Sequence, residues 1–191
     1  MALSKRIETR SHMKYFLDTE FIEDGTTIDL ISIGLVCEDG REFYAENSSA
    51  DLSKAGEWVE ANVLPLLWSR SADKEKASLW SRDGVAGGLL THKEIGSAIR
   101  LFIPEDDKPE FWAYYADYDW VAFCQLFGTM MDLPDGFPMY CRDIKQWCDQ
   151  LGSPDLPKQD GTEHNALEDA QWTLEAWEFL NAIDLTPNVT P

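Results

Sequence analysis

The apolar and polar positions of the chain fall into short runs whose period changes along its length. Lys14 to Ile22 is an apolar, aromatic-rich run of strand length, which predicts a buried strand. Glu23-Asp24-Gly25 breaks it as a turn. Ile28 to Cys37 is long and β-branched and predicts a second strand. Glu38-Asp39-Gly40 has hairpin chemistry, Asp-Gly being favoured where φ must be positive. Arg41 to Asn47 alternates and makes a third strand, so the first part of the chain reads as an antiparallel meander. Helical spacing follows from about Leu52 to Leu67, broken near Pro65. Residues 69–90 are polar and end in Gly84-Val85-Ala86-Gly87-Gly88. With no GK[ST] ending and no strand before them, they read as a flexible loop rather than a phosphate cradle. Thr91-His92-Lys93-Glu94 has the form of a capping box and opens a helix to about Phe102. Phe111 to Tyr115 predicts a fourth strand and Trp120 to Met131 a helix. Met139 to Cys141 predicts a short fifth strand, and Asp143 to Leu151 another helix. Residues 152–163 form a Pro/Gly/Asp loop, Asn165 to Ile183 a final amphipathic helix, and Thr186 to Pro191 a tail.

A meander followed by alternating helices and strands predicts an α/β fold. Its centre is a mixed five-stranded sheet, antiparallel first and parallel afterwards, flanked by helices in a ribonuclease-H-like architecture. The expected organisation is a single domain over residues 13–184. A leader (1–12) whose Ser11-His12-Met13 resembles a vector junction precedes it, and a tail (185–191) follows.

Composition narrows the function classes. Hydrophobic residues make up 44% of the 191 positions and aromatics 12%, with eight tryptophans. Such a chain needs a core, which excludes a disordered acidic polymer. Sixteen basic against 35 acidic residues leave a net charge of -19, which argues against a broad phosphate-binding face. It does not argue against an enzyme whose carboxylates hold cations, because a bound metal inverts the local sign. No apolar run reaches the ~18 to 20 residues of a membrane span. Cys37, Cys124, Cys141 and Cys148 form no CxxC pair and read as buried free thiols in a reducing, cytoplasmic compartment.

Three separated groups of acids carry the candidate chemistry. Asp18 and Glu20 lie two apart at the end of the first strand, so they share a face. Two carboxylates projecting together from an apolar element call for a positive partner, and hard oxygen donors select Mg²⁺ or Mn²⁺; the alternative is a solvated strand end. Asp117 and Asp119 follow the fourth strand, where an Asp also serves as an N-cap. His164 stands at the entry of the last helix, for which Asn165 or Thr162 offers a cap, and Asp169 lies just inside it.

In type, order and element these groups resemble the DEDDh family of 3′-to-5′ exonucleases. The first reads Phe16-Leu17-Asp18-Thr19-Glu20-Phe21 and the last His164-Asn165-Ala166-Leu167-Glu168-Asp169-Ala170, both in the family's usual form. In the middle group Tyr115 stands where the family commonly has Asn. Tyr118 fills the aromatic slot, which makes Asp119 the catalytic match and Asp117 the runner-up. Over about Met13 to Leu180 the chain is also similar to a bacterial exoribonuclease group known from mycobacteria as RNase AS. The similarity is carried by the run from Lys14 to Gly25, by Leu30-Ile31-Ser32-Ile33-Gly34 and by the run from Tyr118 to Leu126.

The resemblance implies two Mg²⁺ or Mn²⁺ ions held by Asp18, Glu20, Asp119 and Asp169. It implies His164 as general base, the 3′ end of single-stranded RNA as substrate with a preference for adenylate, nucleoside 5′-monophosphates as product, and a homodimer. Two cations about 4 Å apart neutralise the phosphodiester and activate water, and imidazole titrates near working pH. Phe21 and the backbone from Thr19 to Phe21 are placed to meet the terminal nucleotide, aromatic stacking being a common grip on unpaired bases; the alternative for Phe21 is a place in the core. Three further readings remain at this level: the same chemistry on DNA, as in proofreading or repair; a non-catalytic acidic protein that binds basic partners; and a degenerate nuclease fold kept for interaction, which the filling of all five expected positions disfavours.

Overall fold

A computed structural model describes residues 12–70 and 85–185. All but the last residue of the expected leader (1–12), the middle of the expected loop (71–84) and all but the first residue of the expected tail (185–191) lie outside the described residues. The sheet has six strands: β1 (Met13–Glu23), β2 (Ile28–Cys37), β3 (Glu42–Asn47), β4 (Val85–Leu90), β5 (Pro109–Ala113) and β6 (Arg142–Asp143). Their spatial order is β4-β3-β2-β1-β5-β6. β1 to β3 are the predicted antiparallel meander, while β4 on β3, β5 on β1 and β6 on β5 are parallel. The helices are α1 (Glu57–Asn62), α2 (His92–Phe102), α3 (Asp117–Gln125), α4 (Ile144–Gln150) and α5 (Ala166–Asp184). This mixed sheet with flanking helices is the predicted α/β class and is compatible with a ribonuclease-H-like fold. No helix among the described residues is long and apolar enough to cross a membrane.

The sheet has one strand more than predicted. Val85 to Leu90, read from sequence as the end of a loop, is strand β4 on the edge of the sheet. Its glycines hide the alternation by which a strand is recognised, and they are also what lets it pair. Gly87 has φ +117°, and a Cβ there would lie 2.0 Å from the Tyr44 carbonyl oxygen. Other corrections are local. The segment predicted as one helix from Leu52 to Leu67 is a series of 3-10 turns around the six-residue α1, with Gly56 at its N-cap and Pro65 in the following turn. The fifth predicted strand falls at Arg142–Asp143 rather than Met139–Cys141. α3 begins three residues earlier than predicted, so neither Asp117 nor Asp119 caps it; both lie in its first turn.

β1 divides the core between its two faces. Tyr15 and Leu17 pack with Ile95 and Ile99 of α2 and with Trp120 and Phe123 of α3. Phe16, on the opposite face, packs with Ala166, Leu167 and Ala170 of α5. Two neighbouring features place these helices. A Cβ on Gly34 of β2 would stand 2.1 Å from the Ala166 carbonyl oxygen, so a bare backbone there lets the start of α5 lie against the sheet. Gly34 is the register partner of Asp18, and α5 therefore begins beside the first acid of the site. All four cysteines are free, with Cys37, Cys124 and Cys148 buried.

Candidate active site

β1 and β5 pair only as far as Phe16 and Trp112. Beyond this point β5 turns away into α3, and the backbone of β1 from Leu17 onward loses its partner on that side. An unpaired amide in such a place needs an acceptor. The Thr19 N–H finds one in Asp119 Oδ1 at 2.9 Å, and the Thr19 hydroxyl donates to the same oxygen at 2.6 Å. The bifurcated contact fixes Asp119 at the open edge of the strand. A register shift between Glu20 and Phe21 then bends β1, as bulges beside functional sites commonly do.

The turn from β5 into α3 is held from a third element. Asp143, the N-cap of α4, accepts from Gln146 N–H with Oδ1 at 2.7 Å and from Ala116 N–H with Oδ2 at 2.7 Å. Tyr115 in this turn has φ 57°, in the left-handed region. At the start of α5, Asn165 takes the capping role, accepting from Leu167 and Glu168 N–H. Asp169 is the fourth residue of α5, where a helix dipole favours a negative charge. His164 precedes the cap at φ 68°.

These elements enclose a cleft of about 760 Å³. Every residue singled out from sequence lines it: Asp18, Thr19, Glu20, Phe21, Asp117, Asp119, His164 and Asp169. Oxygen atoms of Asp18, Glu20 and Asp169 lie within 4.8 Å of one another. Asp119 is outside this tight trio but buried beside it, 6% exposed; Asp117 is exposed at the rim. Thr19, expected to meet the substrate, is buried with its N–H and hydroxyl both engaged by Asp119. Phe21 packs edge-on against Tyr118 across 5.7 Å, which puts an aromatic pair on one wall.

The electrostatics follow from burial and crowding. Burial, then the charges of Asp119, Asp169 and Glu20, hold the Asp18 carboxyl well above the ordinary aspartate range. Burial and the charges of Asp169 and Asp119 push Glu20 up to about 8. Burial raises Asp119 to about 6, against the opposing hydrogen bonds from Thr19. Burial also raises Asp169, opposed by a hydrogen bond from Gln159 and by His164. No Lys or Arg is among the described residues lining the cleft. Hard oxygen donors converging without a cationic side chain suit a divalent cation of the Mg²⁺ or Mn²⁺ type, so the residues present fit the metal implied by the sequence.

Several contributors were not singled out from sequence. Gln159 donates to Asp169 Oδ1 at 2.6 Å. Trp172 Nε1 donates to the Pro157 carbonyl at 3.0 Å, and the Thr162 N–H donates to Glu168. Together they tie the loop before His164 onto α5. The signal for Trp172 was its place three residues after Asp169, on nearly the same side of the helix. Gln159 and Asp143 carry no local signal.

The chain matches the family described as Rv2179c-like, 3′-5′ exoribonuclease Rv2179c-like domain, over residues 13–181. Two proteins of Mycobacterium tuberculosis are each 39% identical to it over 174 residues, which span 90% of this chain and 95% of the relative. They are 3′-5′ exoribonuclease MT2234.1 of strain CDC 1551 / Oshkosh and 3′-5′ exoribonuclease Rv2179c of strain ATCC 25618 / H37Rv. Among solved structures, yeast NOT1 MIF4G domain co-crystallised with CAF1 is similar at a TM-score of 0.46 and 14% identity, covering 94% of this chain and 82% of that one; that likeness is too loose to bear on the site.

Proposed function

The chain belongs to the Rv2179c-like 3′-5′ exoribonuclease domain family, and from that premise we propose that it is a divalent-metal-dependent exoribonuclease of the DEDDh type that removes nucleoside 5′-monophosphates from the 3′ end of single-stranded RNA. The observation that carries this reading is the convergence of Asp18, Glu20 and Asp169 within 4.8 Å, with Asp119 buried beside them and His164 on the same cleft.

In this reading Asp18, Glu20, Asp119 and Asp169 would hold two Mg²⁺ or Mn²⁺ ions. When bound, the cations supply the positive charge that an attack on a phosphodiester needs and that this acidic cleft otherwise lacks. The residues do the rest. Thr19 orients Asp119 through two hydrogen bonds, and Gln159 orients Asp169. His164 takes the proton from the attacking water at an imidazole nitrogen. Phe21 and Tyr118 offer aromatic surface to the terminal base, where stacking is worth ~1 to 3 kcal/mol. Exposed apolar side chains outside the site, among them Val121, Met131 and Tyr140, suit the aromatic-rich, Met-rich core of an interface, and we assign the protein as a homodimer. Four free cysteines fit a reducing, cytoplasmic setting.

The test is a ladder gel of 5′-labelled RNA and DNA oligomers incubated with Mg²⁺ or with EDTA. Expected are stepwise shortening of RNA from the 3′ end, fastest on adenylate tails, resistance of duplex ends, and no reaction in EDTA. Equal rates on poly(A), poly(U) and poly(C) remove the adenylate preference. Faster cleavage of matched DNA moves the assignment to a DNA exonuclease. A monomer mass by light scattering at micromolar concentration removes the dimer.

A further inference from the structure

Trp58 occupies a costly position for its type. It lies on α1, a six-residue helix with no fully buried side chain, and it is 56% exposed. Its helix is anchored by a different residue: Val59 packs onto the cluster of Ile22, Ile31, Val63, Leu64 and Leu67. The indole is therefore not needed to seat α1. It reaches instead across to the segment before α5, where its ring meets the imidazole of His164, the centroids 4.8 Å apart and the planes at 80°. That is a favourable near-perpendicular aromatic geometry.

The charge of Asp169 acts on His164, but an ionic attraction alone does not set the angle of the ring. The His164 backbone sits at φ 68°, just outside the regular helix. Among the described residues neither imidazole nitrogen has a hydrogen-bond partner, in contrast to Asp119 and Asp169, each held by a donor. A general base must lie within hydrogen-bond reach of the proton it takes, and a misplacement of about 1 Å can cost up to ~10²-fold in rate.

We infer that Trp58 is a positioning residue for His164: the indole, delivered by α1 from the far end of β3, limits the imidazole to the orientation in which it serves as base. The inference rests on the role proposed for His164 above. It separates Trp58 from Phe21 and Tyr118, which line the cleft itself and meet substrate. Trp58 acts on the rate of the chemical step, not on RNA affinity.

Two arms test this. The first needs neither metal nor RNA. The chain has three histidines, so their imidazole proton resonances can be assigned by substitution. In Trp58→Ala the His164 resonances should shift as the indole ring current is lost, while those of His92 stay in place. The second arm is kinetic. Trp58→Ala should lower kcat about 10- to 100-fold with KM little changed, and Trp58→Phe, which keeps an aromatic ring, should recover most of the loss. In a His164→Ala background Trp58→Ala should cost nothing further, because residues acting as a unit are not additive. Unmoved His164 resonances overturn the inference. So does a loss that appears in KM, or one that persists without His164, either of which makes Trp58 a direct contact for RNA. Intact RNA with the wild-type protein and Mg²⁺ ends the proposed function and this inference with it, whereas the resonance arm can end the inference alone.

Discussion

Carboxylates at the surface turns and carboxylates in the cleft are the same groups in opposite circumstances. Asp24, Asp51, Glu94 and Asp132 lie in open turns or helix starts, and Asp149 lies in the last turn of α4. Hydrogen bonds from neighbouring backbone, hydroxyl or ammonium groups hold each below its ordinary range. Asp18, Glu20, Asp119 and Asp169 lie together out of water and are all held above it. The first set stabilises local turns by being charged. The second keeps its protons beyond the ordinary carboxylate range, because burial and mutual repulsion disfavour its charge. Titratable groups displaced together in a cleft mark a candidate functional site, and this distinguishes the crowded acids from the acidic surface.

The largest expected effect comes from removing the crowded set one member at a time. Asp18→Ala, Glu20→Ala, Asp119→Ala or Asp169→Ala should each abolish nearly all exonuclease activity on labelled RNA while circular dichroism stays native, because members of a shared site fail as a unit. Glu94→Ala should remain active. If Asp117→Ala is inactive and Asp119→Ala active, the buried acid has been given the role of the exposed one. Next in size is His164→Ala, which should slow hydrolysis by roughly 10² to 10⁴ and leave calorimetric Mn²⁺ affinity nearly intact. His92→Ala, inside the capping box at the start of α2 and absent from the cleft lining, should change little. Loss of metal binding with His164 would make it a ligand instead.

A third test sets the two groups of acids against each other through pH. Glu20 moves from an ordinary 4.5 to about 8 on folding, and Asp119 from 3.8 to about 6. Between those values the folded state keeps protons that the unfolded state has released, so stability falls as pH rises. The lowered surface acids act in the other direction and lose their contribution as pH falls below the ordinary carboxylate range. The metal-free thermal midpoint should therefore peak near pH 4 to 5 and decline toward pH 8. Mn²⁺ should flatten the alkaline decline. A midpoint that rises steadily to pH 8 without metal would contradict the crowding. The smallest effect belongs to the surface set: Thr91→Ala, which opens the capping box at α2, should cost about 1 kcal/mol in urea unfolding without changing activity.

Legibility from sequence followed the range of the interaction. The apolar run of β1, the alternation along β3, the Asp-Gly hairpin and the Thr91–Glu94 box are local, and all are readable. So is the face shared by Asp18 and Glu20. β4 is not, because Gly87 and Gly88 supply no side chains to alternate and its pairing is decided by Tyr44, more than 40 positions away. The loss of pairing on β1 beyond Phe16 is likewise invisible in any local pattern, and so are the hydrogen bonds that Thr19 makes to Asp119. Gln159 and Trp58 reach the site from a loop and a short helix of low periodicity. Their partners, Asp169 and His164, are identifiable only once the chain is folded.

The left-handed backbone at His164 has a consequence for anyone searching sequence space. An L-residue in that region costs roughly 1 to 2 kcal/mol that glycine does not incur. A library selected for thermal tolerance alone should therefore enrich His164→Gly, just as it should enrich neutral replacements of Asp18. Both would be hardier and catalytically silent.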